Sequence, residues 1–144
     1  MLQKPDNKIV FGKTGSGKTV KVLNLIKDCS RVLMFDATGH DYRDGVVVYN
    51  LDDLKRFWRG VYKSDFRIIY RPLNEVQEFD EICHLVYLCG NLTLVAEELD
   101  LLCRPNATSL NVRSILRRGR HADIHFVGVS QRPFNIDRNV TAMG

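Results

Sequence analysis

The segment that most limits how this chain can fold is Gly12-Lys13-Thr14-Gly15-Ser16-Gly17-Lys18-Thr19, a complete match to the pattern Gly-x-x-x-x-Gly-Lys-Ser/Thr. Lys8, Ile9, Val10 and Phe11 precede it as a short apolar run, and residues 17–28 follow it with helical character. Gly15 and Gly17 can take backbone angles closed to residues with a Cβ, so successive N–H groups turn inward around an anion. The helix that follows adds its unpaired N–H groups and the positive end of its dipole. A nucleotide phosphate is the expected occupant. Lys18 is expected between the β and γ phosphates and Thr19 on Mg²⁺, with Gly12, Lys13, Thr14 and Ser16 completing the cradle. The competing reading is a glycine-rich turn that merely joins a strand to a helix. Nothing in the loop itself chooses ATP over GTP.

A loop of this kind needs a sheet behind it, and the rest of the chain supplies one. Strand-like runs at 8–12, 31–37, 46–49, 66–70, 92–97 and 124–130 alternate with helix-like segments at 17–28, 51–61, 75–89 and 109–118. That alternation predicts an α/β fold, a mostly parallel sheet with helices on both faces. In the first helix Val22, Leu23, Leu25 and Ile26 make a broad apolar face for the sheet. A length of 144 residues corresponds to one domain, 1–144. The chain stops at Gly144 soon after its last strand. A fragment and a missing edge strand are both open readings of that end.

Leu92-Thr93-Leu94-Val95-Ala96 runs into Glu97-Glu98. Carboxylates at the end of a parallel strand reach the metal and γ-phosphate region of the loop. Glu97 is expected to hold the Mg²⁺ shell and Glu98 to orient and polarise the attacking water. Adjacent strand residues point to opposite faces, so both can act only if the chain turns there. The competing reading has the pair opening a solvated loop or capping a helix. Gln131 ends the last strand, where it could bond the γ-phosphate or the attacking water, although a surface glutamine is common at such a place.

Arg117-Arg118-Gly119-Arg120-His121 concentrates cationic donors. They could complete a neighbouring subunit's site, contact nucleic acid phosphates, or simply favour a helix C-terminus. The formal charge of +4 and pI near 9.0 are compatible with a polyanionic partner without requiring one. Cys29, Cys83, Cys89 and Cys103 form no Cys-x-x-Cys pair, and His40, His84, His121 and His125 are scattered. Reduced core thiols in a cytoplasmic protein are the expectation, not a side-chain metal cluster. No apolar run approaches the roughly 20 residues that span a bilayer.

Four elements now stand in order: the Gly12 to Thr19 loop, the Leu92 to Glu98 strand, the Arg-Gly-Arg-His segment, and Val127-Gly-Val-Ser-Gln-Arg-Pro at 127–133. Together they resemble the FtsK–HerA superfamily of P-loop ATPases, which includes viral and phage genome-packaging ATPases. The resemblance implies a RecA-like sheet of the ASCE type, with the Gln131 strand between the loop strand and the acidic strand. It also implies ATP with Mg²⁺ as cofactors and a homo-oligomeric ring, usually of six, that moves double-stranded DNA. Arg117, Arg118 and Arg120 become candidates for donation in trans. Two departures matter: the first acid is usually Asp in that family and is Glu97 here, and the family's core continues with a further strand. A DNA-packaging ATPase is therefore the leading expectation. A zonula occludens toxin-like assembly or secretion ATPase is the alternative. A small-molecule kinase would have little use for Glu98.

Overall fold

Short runs rich in Val, Ile, Leu and Phe become strands because β-branched and aromatic side chains pack well on a pleated surface. In the computed structural model, residues 7–12, 17–39, 42–104 and 108–131 are described. The strands are β1 (Asn7–Phe11), β2 (Arg31–Phe35), β3 (Val46–Val48), β4 (Phe66–Tyr70), β5 (Leu92–Ala96) and β6 (Ile124–Ser130). The helices are α1 (Lys18–Ile26), α2 (Leu51–Val61), α3 (Glu75–Cys89), α4 (Leu99–Leu102) and α5 (Leu110–Arg118), followed by a 3₁₀ turn at Gly119–Ala122. Every strand and long helix expected from the sequence is present, with ends shifted by at most two residues. The short α4 and the 3₁₀ turn were not expected.

All pairings are parallel, and the order across the sheet is β1-β6-β5-β2-β4-β3. β6 thus lies between β1 and β5, as the resemblance implied. The central β5 is buried along its whole length, which explains why it reads as an unbroken apolar run. β1 has one strand neighbour among the described residues. The expectation of a missing edge strand concerns the chain after residue 131, which lies outside them.

Helices cover both faces, but unequally. On one face Leu33, Phe35, Ile68, Leu94 and Phe126 share a core with side chains from α2, α3, α4 and α5. Phe35 stacks on Tyr70 at 5.9 Å between ring centroids and meets Phe79 at 4.9 Å. On the other face Val32, Met34, Ile69, Val95 and Val127 pack against Val22 and Ile26 of α1 and against Tyr42 from the segment after β2. Leu23, expected on the sheet-facing side of α1, is 38% exposed instead. The nine residues of α1 bury a narrow stripe, Val22 and Ile26, and not a broad face.

Local signals set the helix starts. Asn50 accepts from the Asp53 N–H at 2.8 Å to begin α2, and Ser109 accepts from the Val112 N–H at 3.3 Å to begin α5. At the amino edge of the sheet, Arg31 donates to the carbonyls of Asn91 and Tyr62, each at 2.6 Å, and to Ser64 O. Its guanidinium also lies over the Phe66 ring at 4.7 Å. One side chain at the start of β2 therefore ties two connecting segments together.

Candidate nucleotide site

Parallel strands gather their carboxyl ends along one edge of the sheet, where ligands bind in folds of this kind. Reading that edge in strand order, Gly12 follows β1, Gln131 follows β6, Glu97 follows β5, Asp36 follows β2 and Arg71 follows β4. Gly12 N–H donates to Ser130 O at 3.2 Å, which anchors the start of the glycine-rich loop beside the end of β6. Lys13, Thr14, Gly15 and Ser16 lie outside the described residues. Gly17 caps α1 with φ 86° and ψ 17°, in the left-handed region. A Cβ there would meet no atom within 4 Å, so the backbone angle and not crowding calls for glycine. Lys18 and Thr19 are the first two residues of α1, both half-buried, at the helix end whose N–H groups are unpaired.

Glu97 is only 5% exposed. Its N–H donates to Phe35 O at 3.0 Å, and its Oε1 accepts from the Tyr42 hydroxyl at 2.5 Å. Glu98 then takes φ 58° and ψ 45° and becomes the N-cap of α4, its carbonyl accepting from Leu101 at 2.9 Å and Leu102 at 3.2 Å. Glu98 thus caps a helix, as the competing reading has it, and the chain does turn between the two acids. A left-handed residue with a side chain costs about 1–2 kcal/mol, so tertiary packing must hold it. Gly128 supplies that packing. A Cβ at 128 would lie 2.5 Å from Leu99 Cδ2, so the missing side chain in mid-β6 is the seat for the first residue of α4.

Three residues of this edge escaped the sequence reading. Asp36 is completely buried, and its carboxylate accepts from Thr38 Oγ1 at 2.9 Å, Gly39 N–H at 3.3 Å and Tyr42 N–H at 3.4 Å. Arg71 places Nε 3.5 Å from Asp36 Oδ2 and donates from Nη2 to Tyr42 O at 2.8 Å. Tyr42, 1% exposed, joins this pair to Glu97. The rule that picked Glu97, an acid directly after an apolar strand, applies equally to Asp36 after Val32-Leu33-Met34-Phe35. Tyr42 had no signal of its own, because its partner is 55 residues away.

Gln131 is exposed at the end of β6, between the loop strand and the acidic strand. Arg117, Arg118 and Arg120 are exposed where α5 and the 3₁₀ turn lead into the amino end of β6. Seven strand residues at about 3.3 Å each separate that end from Gln131. The structure therefore sets Gly12, Gln131, Glu97 and Glu98 in a row along the carboxyl edge, starts α1 with Lys18 and Thr19, and leaves the three arginines at the amino end of β6. Cys29, Cys83, Cys89 and Cys103 form no disulfide with one another, two being buried and two half-buried. Among the described residues no group of three or more His, Cys, Asp or Glu could hold a metal, and no helix is long and apolar enough to cross a membrane.

No protein-family profile and no curated protein matches the sequence. Solved structures do. The genome packaging NTPase B204 from Sulfolobus turreted icosahedral virus 2, in complex with AMPPCP, superposes with a TM-score of 0.76 over 96% of this chain and 71% of that one, at 15% identity. B204 from Sulfolobus turreted icosahedral virus, a DNA-packaging ATPase, gives 0.67 over 99% and 74%, at 18% identity. The N-terminal domain of zonular occludens toxin from Neisseria meningitidis gives 0.61 over 97% and 73%, at 14% identity. At such identities the likeness speaks to architecture, and that architecture is the P-loop NTPase fold, an open parallel sheet flanked by helices.

Proposed function

We infer that this chain is an ATP-hydrolysing motor subunit that packages or translocates double-stranded DNA, working in the cytoplasm as one member of a homo-oligomeric ring. The observation that carries this reading is the row Gly12, Gln131, Glu97-Glu98 along the carboxyl edge, the residue types that phosphate binding and water attack call for. Likeness to genome packaging NTPases, one of them in complex with AMPPCP, supports it.

Mg²⁺ fits the donor set, because Thr19 offers a hydroxyl at the start of α1 and Glu97 a buried carboxylate, both hard oxygen ligands. When bound it neutralises charge on the β and γ phosphate oxygens. Lys18 places its ammonium on the same oxygens, and the first amides of α1 direct their N–H groups at them. Glu98, turned out of the strand line, orients a water for in-line attack and takes up its proton as the β–γ bridging bond breaks. Gln131 bonds the γ-phosphate or that water and so differs in its contacts before and after hydrolysis. Arg117, Arg118 and Arg120 lie at the far edge and serve either a neighbour's site or the DNA backbone.

Steady-state turnover of ATP with and without duplex DNA tests this reading. Wild type should be stimulated by DNA, with binding that weakens steeply as salt rises, whereas Lys18→Ala and Glu98→Gln should be inactive. Robust turnover in Glu98→Gln removes that residue from the chemistry. Likeness to the zonular occludens toxin domain favours a second reading, an assembly or secretion ATPase. Mass measurement with ATP and DNA present separates the two, since a DNA-dependent ring belongs to the motor alone.

A further inference from the structure

We propose that Tyr42 is a positioning residue that fixes the rotation of the Glu97 carboxylate, and that Asp36 and Arg71 form the clasp that holds Tyr42 in place. The proposal rests on the reading of Glu97 as the acid of the Mg²⁺ shell. A glutamate's terminal torsion is broad, so burial alone does not aim its oxygens. Here the Tyr42 hydroxyl donates to Oε1 at 2.5 Å, which orients the carboxylate at the carboxyl end of β5, next to β6. Filling the α1 face of the sheet would need only the ring, and an apolar residue would do it without placing a hydroxyl against a buried acid.

The backbone of Tyr42 is gripped at both of its polar groups. Its N–H donates to Asp36 Oδ2 at 3.4 Å, and its carbonyl accepts from Arg71 Nη2 at 2.8 Å. Asp36 and Arg71 face each other at 3.5 Å and sit at the ends of adjacent strands, β2 and β4. Asp36 N–H donates to Tyr70 O at 2.8 Å, which keeps those ends in register. A rigid sheet edge thus holds the phenol, and the phenol holds the acid. Partners in this position raise the affinity of a metal site by orienting its ligand.

The test is Mn²⁺ binding, followed by electron paramagnetic resonance in the presence of a non-hydrolysable ATP analogue. Tyr42→Phe should weaken Mn²⁺ roughly tenfold or more and raise the metal concentration for half-maximal turnover by the same factor. Affinity for the analogue in EDTA should stay unchanged. A lower melting temperature with Mn²⁺ affinity within about twofold of wild type would make Tyr42 a packing residue and overturn the proposal. Arg71→Lys keeps the phenol while loosening the clasp, and serves if Tyr42→Phe does not fold. It should weaken Mn²⁺ several-fold, and unchanged affinity counts against the clasp. Glu97→Gln distinguishes the two levels of the argument. Wild-type Mn²⁺ affinity in Glu97→Gln refutes the metal role of Glu97 itself, whereas loss in Glu97→Gln without loss in Tyr42→Phe refutes only the positioning.

Discussion

Replacing Gly128 with alanine tests whether the seat for α4 holds the two acids where they are. The new Cβ would stand 2.5 Å from Leu99 Cδ2, 3.1 Å from Phe126 Cε2 and 3.3 Å from Leu99 Cγ, all inside the 3.5–4.0 Å optimum for carbon pairs. Leu99 and Phe126 are 0% and 1% exposed, so neither can swing into solvent to make room. Overpacking of this kind costs about 1–3 kcal/mol, which for a domain of this size lowers the melting temperature by roughly 4–10 °C. Leu99→Ala alone leaves a cavity and costs about 2–5 kcal/mol. If both effects arise at one contact, the double variant is destabilised by less than the sum, with a coupling of about 1 kcal/mol or more. Calorimetry and denaturant titration of the four proteins measure it. Turnover should fall in Gly128→Ala at temperatures where the protein is fully folded, because Leu99 immediately follows Glu98. Additivity within about 0.5 kcal/mol together with unchanged turnover would refute the reasoning.

Other outcomes follow from the same geometry. Arg31→Met removes three charge-assisted bonds at the amino edge but from a half-buried group, so a loss of about 2 kcal/mol in denaturant titrations is expected, with nucleotide affinity unchanged. Burial above all, then the neighbouring Cys103 and Asp80, pushes the Cys83 thiol well up, and burial followed by the Glu78 carboxylate raises the Tyr70 phenol. Both groups are raised above their unfolded values. Their contribution is therefore complete below about pH 8.5 and is lost as pH rises beyond it. Melting temperature should fall between pH 8.5 and 11 with a shallower slope in Cys83→Ala, and an unchanged slope would remove Cys83 from the account. Arg117→Ala, Arg118→Ala and Arg120→Ala should leave nucleotide affinity of the isolated subunit unaltered in fluorescence titrations. Weaker binding in a monomer would contradict their separation from the loop.

Much of the fold was legible because it rests on local patterns. Alternation of apolar runs with 3.6-residue periodicity marked all six strands and the four long helices, since burial on both faces of a parallel sheet leaves β4, β5 and β6 nearly without polar interruption. Leu23 was misplaced because periodicity says which residues share a stripe, not how wide a stripe the sheet will cover. α4 was missed because four residues give too short a period to see, and because its start depends on Gly128 in another strand. Asp36 lay within reach of the rule that found Glu97. Arg71 and Tyr42 did not, since only the adjacency of β2, β4 and β5 brings them to the acid.

By itself the sequence determined the glycine motif between β1 and α1, because glycine spacing and the strand-to-helix change are properties of contiguous residues. It also determined that a pair of acids would follow one strand and a glutamine another. Tertiary structure decided that those strands would be neighbours, that the chain would turn at Glu98, and that the arginines would stand at the other edge. The physical reason is that strand order and a left-handed glutamate are set by packing between residues far apart in the chain. The backbone cost of that turn is met at Gly128, where one missing methyl group leaves room for Leu99.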